Sequence, residues 1–170
     1  MKYKSIVLVS LLALVPFIGN SQSSMKELVE SKRFVFEAQS MSPLKASMRT
    51  LTPGYTLKVS PDTVVADLPY AGRAYQAPYG GGDGGIKFES TNFEYTTKEK
   101  KKGWTVNIKT KGVSGNPKVI VDVFANGNAR VVVYSTDRET ITFNGIAAPL
   151  LAVSPGQINA VMPWNVLPSG

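Results

Sequence analysis

Tyr70, Arg73, Tyr75 and Tyr79 fall within ten consecutive residues and run straight into Gly80-Gly81-Gly82-Asp83-Gly84-Gly85. Tyrosine rings offer flat amphipathic faces to a sugar or a peptide, and a guanidinium pairs with a carboxylate or phosphate. These residue types on one long loop suit recognition of a small molecule, a glycan or a peptide, and loops of this length inside a compact domain are usually functional or disordered. The same tyrosines could instead pack back as a plug on one end of the fold, with the glycines merely turning the chain. The glycine run lacks the Lys-Ser/Thr of a phosphate loop and the repeated acids of a calcium loop, so it reads as a flexible connection.

Other chemistry is thin. The 170 residues include no His and no Cys, which removes Ser-His-Asp and Cys-His triads, disulfides, iron-sulfur clusters and ordinary structural zinc. A carboxylate-dependent glycosidase needs a spaced acid pair. Glu89 and Glu94 straddle a bend, Asp62, Asp67 and Asp83 fall on loops, and no spacing singles out a pair. No catalytic residue, metal ligand or cofactor is therefore assigned. Lys98, Lys100, Lys101 and Lys102 form a basic run diluted by Glu99, with no interleaved aromatic and no second cluster, which argues against nucleic acid and for a solvated hairpin tip.

Lys2 and Lys4 precede an apolar run from Ile6 to Ile18, followed by Gly19, Asn20 and Ser21. This is the pattern of a signal peptide over residues 1–21, too short to span a bilayer. Its removal takes two lysines from a formal charge of +7, leaving +5. A secreted or periplasmic product follows, with no membrane span in the mature chain.

The elements that position these residues show in the periodicity. Ser24 to Glu27 has the form of a capping box, and Met25, Leu28 and Val29 repeat at helical spacing as far as Lys32. From Phe34 the period becomes two, with Phe34, Phe36 and Ala38 on one face. A turn at Ser60 to Thr63 sets Val59 opposite Val64 and Leu57 opposite Ala66. Ile86 and Phe88 use even positions while Phe93 and Tyr95 use odd ones, so a bulge or bend belongs near Ser90 to Asn92. The lysine run separates Phe93 and Tyr95 from Trp104, Val106 and Ile108, and pairing Tyr95 with Val106 puts the lysines at the tip. A three-residue loop, with Gly127 left-handed, pairs Val123, Val121 and Val119 with Ala129, Val131 and Val133 and sets Asp122 opposite Arg130. Ile141 and Phe143 point inward from a last strand. The expected fold is an all-β antiparallel meander of about eight strands, an open barrel or two-layer sandwich, with one short N-terminal helix.

Phe34 to Ala38, Asp67 to Tyr75, Tyr79 to Phe88 and Ile141 to Gly145 together resemble a family of small secreted Bacteroidetes proteins known as a domain of unknown function. The resemblance runs from about Met25 to Gly145, implies a secreted β-rich domain and brings no activity with it. Asn144 to Leu151, Val153 to Asn159 and Pro163-Trp164 resemble instead the start of a C-terminal segment of large secreted Acidobacteria proteins. The two patterns meet at Asn144-Gly145, as in a fused, frameshifted or artificial sequence. A β domain over residues 22–145 and a Pro-rich tail over 146–170, the least well packed part of the chain, are the expectation. Taken together these readings predict a non-enzymatic binding module acting through the Tyr70 to Tyr79 loop, with a structural or envelope-interaction module as the alternative.

Overall fold

The structure, a computed structural model, describes residues 20–75, 84–154 and 157–160. The leader expected over 1–21 falls almost wholly outside these residues, and so do Tyr79 and most of the glycine run.

Helix α1 (Asn20–Ser31) leads into eleven strands: β1 (Phe34–Pro43), β2 (Arg49–Thr50), β3 (Thr56–Val59), β4 (Val64–Leu68), β5 (Ile86–Ser90), β6 (Phe93–Lys100), β7 (Gly103–Thr110), β8 (Lys118–Phe124), β9 (Asn128–Tyr134), β10 (Ile141–Ser154) and β11 (Gln157–Ala160). The helix is already formed at Asn20, four residues ahead of the expected capping box, so Ser24 lies inside it. It stops at Lys32, whose φ of 56° is left-handed. The amides of Lys32 and Arg33 then bond back to the carbonyls of Val29 and Leu28, the hydrogen-bond pattern of a Schellman cap.

The strands form one antiparallel sheet in the order β5-β4-β3-β1-β10-β9-β8-β7-β6, with β2 on β1 and β11 on β10, curled into a nearly closed barrel. Its two edges, β5 and β6, are consecutive in the chain. The bend expected at Ser90 to Asn92 is therefore the place where the chain crosses from one edge of the open barrel to the other. The Ser90 hydroxyl donates to the Asn92 carbonyl at 2.9 Å, and Asn92 in turn accepts from the amide of Lys111 at 2.9 Å.

Inward-facing residues make one continuous core. Phe34, Phe36, Leu57, Val59, Leu68, Ile108, Val121, Val131, Ile141 and Phe143 are each at most 1% exposed. Met25 and Val29 of α1 join the same cluster. The phenol of Tyr95 donates to the carbonyl of Val29 at 2.6 Å, and the Lys32 ammonium lies 5.1 Å from the Tyr95 ring. Helix and sheet are thus tied at the β6 edge. The buried apolar side chains line the inner face of the sheet.

Two expected registers are observed. Leu57 faces Ala66 and Val59 faces Val64, and the β8–β9 hairpin pairs Val119, Val121 and Val123 with Val133, Val131 and Ala129. Gly127 has φ +85°, as the three-residue loop requires. In the β6–β7 hairpin the register differs by two residues. Tyr95 faces Ile108, Thr97 faces Val106, and Lys101-Lys102 alone make the tip. An even shift keeps every side chain on its face, so alternation does not distinguish the two pairings. The tip is moved along the chain and not lengthened, and in this register Gly103 lies so close to Val123 that a Cβ there would be 2.1 Å from the Val123 carbonyl oxygen.

The last expected strand is longer than the periodicity suggests. β10 runs through Gly145, where the sequence reading ends the β domain, and pairs with β1 as far as Pro149 against Phe34. Ile146, Ala147, Ala148 and Leu150 are all buried, and Val35, on the outer face of β1, is covered by Ala148 and Leu150. Residues 146–150 thus belong to the sheet. Pro149 is accommodated near the end of the β1 ladder.

Candidate functional site

Local sequence explains why the 70–85 loop begins where it does. β4 ends at Leu68, and Pro69 removes the next ladder donor. What anchors the loop is the connection from Ser135 to Thr140, between β9 and β10. The amide of Tyr75 donates to the Asp137 carbonyl at 2.7 Å, and the amide of Glu139 donates to the Arg73 carbonyl at 3.0 Å, a single bridge centred on Ala74 and Arg138. The Tyr70 hydroxyl lies 2.9 Å from the Arg73 carbonyl and 3.1 Å from that of Glu139. Burial pushes the Tyr70 phenol above its ordinary pKa.

Arg138 holds the other end of the loop. Its Nη1 donates to the carbonyls of Gly84 and Gly85, both at 3.1 Å, while Nε and Nη2 donate to the Asp137 carboxylate. The guanidinium also lies 5.1 Å from the Tyr70 ring centroid. The Arg138 hydrogen bonds, aided by one from Ser135, hold the Asp137 carboxyl below its usual range. Ser135 reaches on to the Gly115 carbonyl, and Lys45 pairs with Glu139 at 3.4 Å. One short connection therefore gathers three loops at one end of the barrel.

The four expected site residues separate within this frame. Tyr70 is half-buried against the core and committed to the carbonyls of Arg73, in its own loop, and Glu139, in the β9–β10 connection. Arg73 is exposed, and among the described residues only its backbone is engaged. Tyr75 is 62% exposed on a hydrogen-bonded backbone. Tyr79 lies outside the described residues. Arg138 escaped the sequence reading because its acceptors are 53 and 54 positions away and no local pattern marks it.

The opposite end holds a second polar constellation. Asp122 accepts from Thr105 at 2.6 Å, from Arg130 at 2.9 Å and from Lys100 at 3.3 Å. Burial pushes its carboxyl up, but these three donors outweigh it and the pKa falls below the usual value. Beside it a concavity of about 150 Å³ is lined by Lys102, Trp104, Phe124 and Arg130, among others. Trp104 Nε1 is buried and has no hydrogen-bond partner among the described residues. A donor so enclosed meets no solute, so the unmet bond weighs on stability and not on binding. Among the described residues, no three carboxylates group as a metal-ligand set.

Residues 18–147 match the family described as a domain of unknown function, DUF4251. Among solved structures, the fold is similar to the crystal structure of a DUF4251 family protein from Bacteroides eggerthii. The two share 17% identity with a TM-score of 0.55, over 76% of this chain and 87% of that one. At that identity the likeness bears on the fold alone. No curated protein matches the chain.

Proposed function

We propose that this chain, which belongs to the DUF4251 family, is a secreted or periplasmic, non-enzymatic binding module that takes a glycan, peptide or small metabolite on the Tyr70 to Tyr79 loop. The observation that carries this reading is the display of Tyr75, 62% exposed while its own amide and the neighbouring Arg73 carbonyl are bonded to the 137–139 connection. An aromatic face held on a fixed backbone loses little entropy on binding, and Arg73 supplies one orienting charge beside it. Buried apolar side chains face the barrel interior, so on this reading the ligand sits at the rim. An extracytoplasmic setting rests on the leader pattern of residues 1–21. No helix among the described residues is long and apolar enough to cross a membrane.

The test is a glycan, peptide and metabolite screen on the wild type and on Tyr75→Ala/Tyr79→Ala. Binding by the wild type and its loss in the variant, at unchanged β-rich circular dichroism, is the expected result. Equal binding by both would overturn the reading. Tyr70 favours a second reading, a structural or envelope-interaction module, because its phenol serves the loop and not a ligand. On that reading Tyr70→Phe lowers the melting temperature, whereas the Tyr75→Ala/Tyr79→Ala pair changes neither stability nor any binding.

A further inference from the structure

Residues 44–48 join β1 to β2, and their apolar side chains contact little. Leu44 is 66% exposed and Met48 65%, the two highest values among the large hydrophobics exposed in the described residues. They stand four positions apart, each followed directly by a cation, Lys45 and Arg49. The Lys45 side chain is 72% exposed, and Arg49 is exposed and makes no ion pair among the described residues. The Lys45–Glu139 pair at 3.4 Å holds this turn against the β9–β10 connection, and Glu139 bonds through its amide to Arg73. Arg73 is therefore presented at the same end of the barrel, exposed and without an ion pair among the described residues. The carboxylates of the connection do not oppose this charge. Asp137 and Glu139 have side chains only 12% and 10% exposed, and each is engaged by a cation.

We infer that this end of the barrel, led by Leu44 and Met48 and ringed by Lys45, Arg49 and Arg73, docks on an anionic lipid surface. Two unburied aliphatic side chains lower their free energy by entering an apolar phase. Arg49 and Arg73, without ion pairs among the described residues, stand beside the Lys45–Glu139 pair, and this excess of positive charge suits a phase faced by negative charge. A bilayer with anionic headgroups offers both in the geometry that a loop can reach, apolar tips below and cations at headgroup level. A dissolved glycan lacks the apolar phase. The inference goes beyond the loop's ligand and does not depend on Tyr75.

The experiment is co-sedimentation of the protein, purified after export, with vesicles of phosphatidylcholine alone and of phosphatidylcholine with phosphatidylglycerol. Wild type binds the anionic vesicles, and binding falls with added salt as charges are screened. Leu44→Asp/Met48→Asp lowers partitioning by about tenfold or more at unchanged circular dichroism, and Arg49→Gln lowers it by about fivefold. Tyr75→Ala leaves it intact, so loss of vesicle binding and loss of a loop ligand are separable failures. Equal binding to neutral vesicles, no binding to either, or an unchanged Leu44→Asp/Met48→Asp variant would each overturn the inference. So would a dimer in analytical ultracentrifugation that the same double variant dissolves, because the occupant would then be a second copy of the chain.

Discussion

Arg138→Met tests whether one side chain holds the base of the candidate loop. The substitution keeps an unbranched stem and removes the guanidinium, with its two bonds to the Gly84 and Gly85 carbonyls, its pairing with Asp137 and its place over Tyr70. Charge-assisted bonds contribute about 1.5 to 3 kcal/mol each when enclosed. The Arg138 side chain is 18% exposed, and water can replace part of each bond at the loop edge, so the low end applies. Water taking over part of the two bonds roughly offsets the less than 1 kcal/mol from the cation–ring contact, so the expected loss is about 3 kcal/mol. For a domain of this size that is a fall in Tm of roughly 6 to 12 °C by thermal circular dichroism at neutral pH. The pH dependence gives a second reading. Asp137 has a folded pKa below its ordinary value of 3.8 because Arg138 donates to it. Its contribution is fully present above 3.8 and is lost as pH falls through the lowered value. In Arg138→Met the carboxyl returns toward its ordinary range. The gap in Tm between wild type and variant should therefore narrow on acidification below about pH 4. Hydrogen exchange should rise at residues 84–86 in the variant. A Tm change under about 2 °C, or a gap that stays constant into acid, would refute the reasoning.

Two glycines should respond differently to alanine. Gly127 has φ +85° with open space around its missing Cβ, so Gly127→Ala loses about 1 kcal/mol in urea unfolding, from the left-handed backbone alone. At Gly145 an added Cβ would lie 1.9 Å from the Glu37 carbonyl oxygen, and Gly145→Ala should lose about 2 to 3 kcal/mol by forcing β1 and β10 apart; the reverse order of the two losses would contradict the β1–β10 register. Trp104→Phe removes the unpartnered Nε1 together with some packed volume, so its stability should stay within about 1 kcal/mol of wild type, and a loss above about 3 kcal/mol would reveal a partner for the indole N–H. Truncation after Gly145 removes the pairing of Phe34 to Glu37 with β10 and the buried Ile146 and Ala148, so the shortened chain should fail to give a cooperative thermal transition; an unchanged Tm would return the boundary to Gly145.

Much of the barrel was legible as alternation. Inward Phe34, Phe36, Leu57, Val59, Ile141 and Phe143 could be read from period two, because a strand puts every second side chain on one face whatever its partner. The β3–β4 and β8–β9 registers were legible as well. Their short turns leave one pairing in which apolar residues meet apolar ones and Asp122 meets Arg130. The β6–β7 hairpin was not, since a shift of two residues keeps every face intact, and the close approach of Gly103 to Val123 is a contact between strands that alternation does not reveal. Of the candidate site, the sequence showed the residue types and no more. It could not separate Tyr70, bound to the Arg73 and Glu139 carbonyls, from Tyr75, turned to solvent.

What the sequence by itself determined was the face of each residue, the positions of the turns and the need for a left-handed glycine at 127. These depend on neighbours two to five positions away. The tertiary structure decided that β5 and β6 become the two edges, that β1 lies between β3 and β10, that residues 146–150 complete the sheet, and that Arg138 closes the base of the loop. Each of these joins residues dozens of positions apart. Such contacts are selected by mutual burial and by satisfying distant backbone carbonyls, and neither leaves a periodic trace in the local chain.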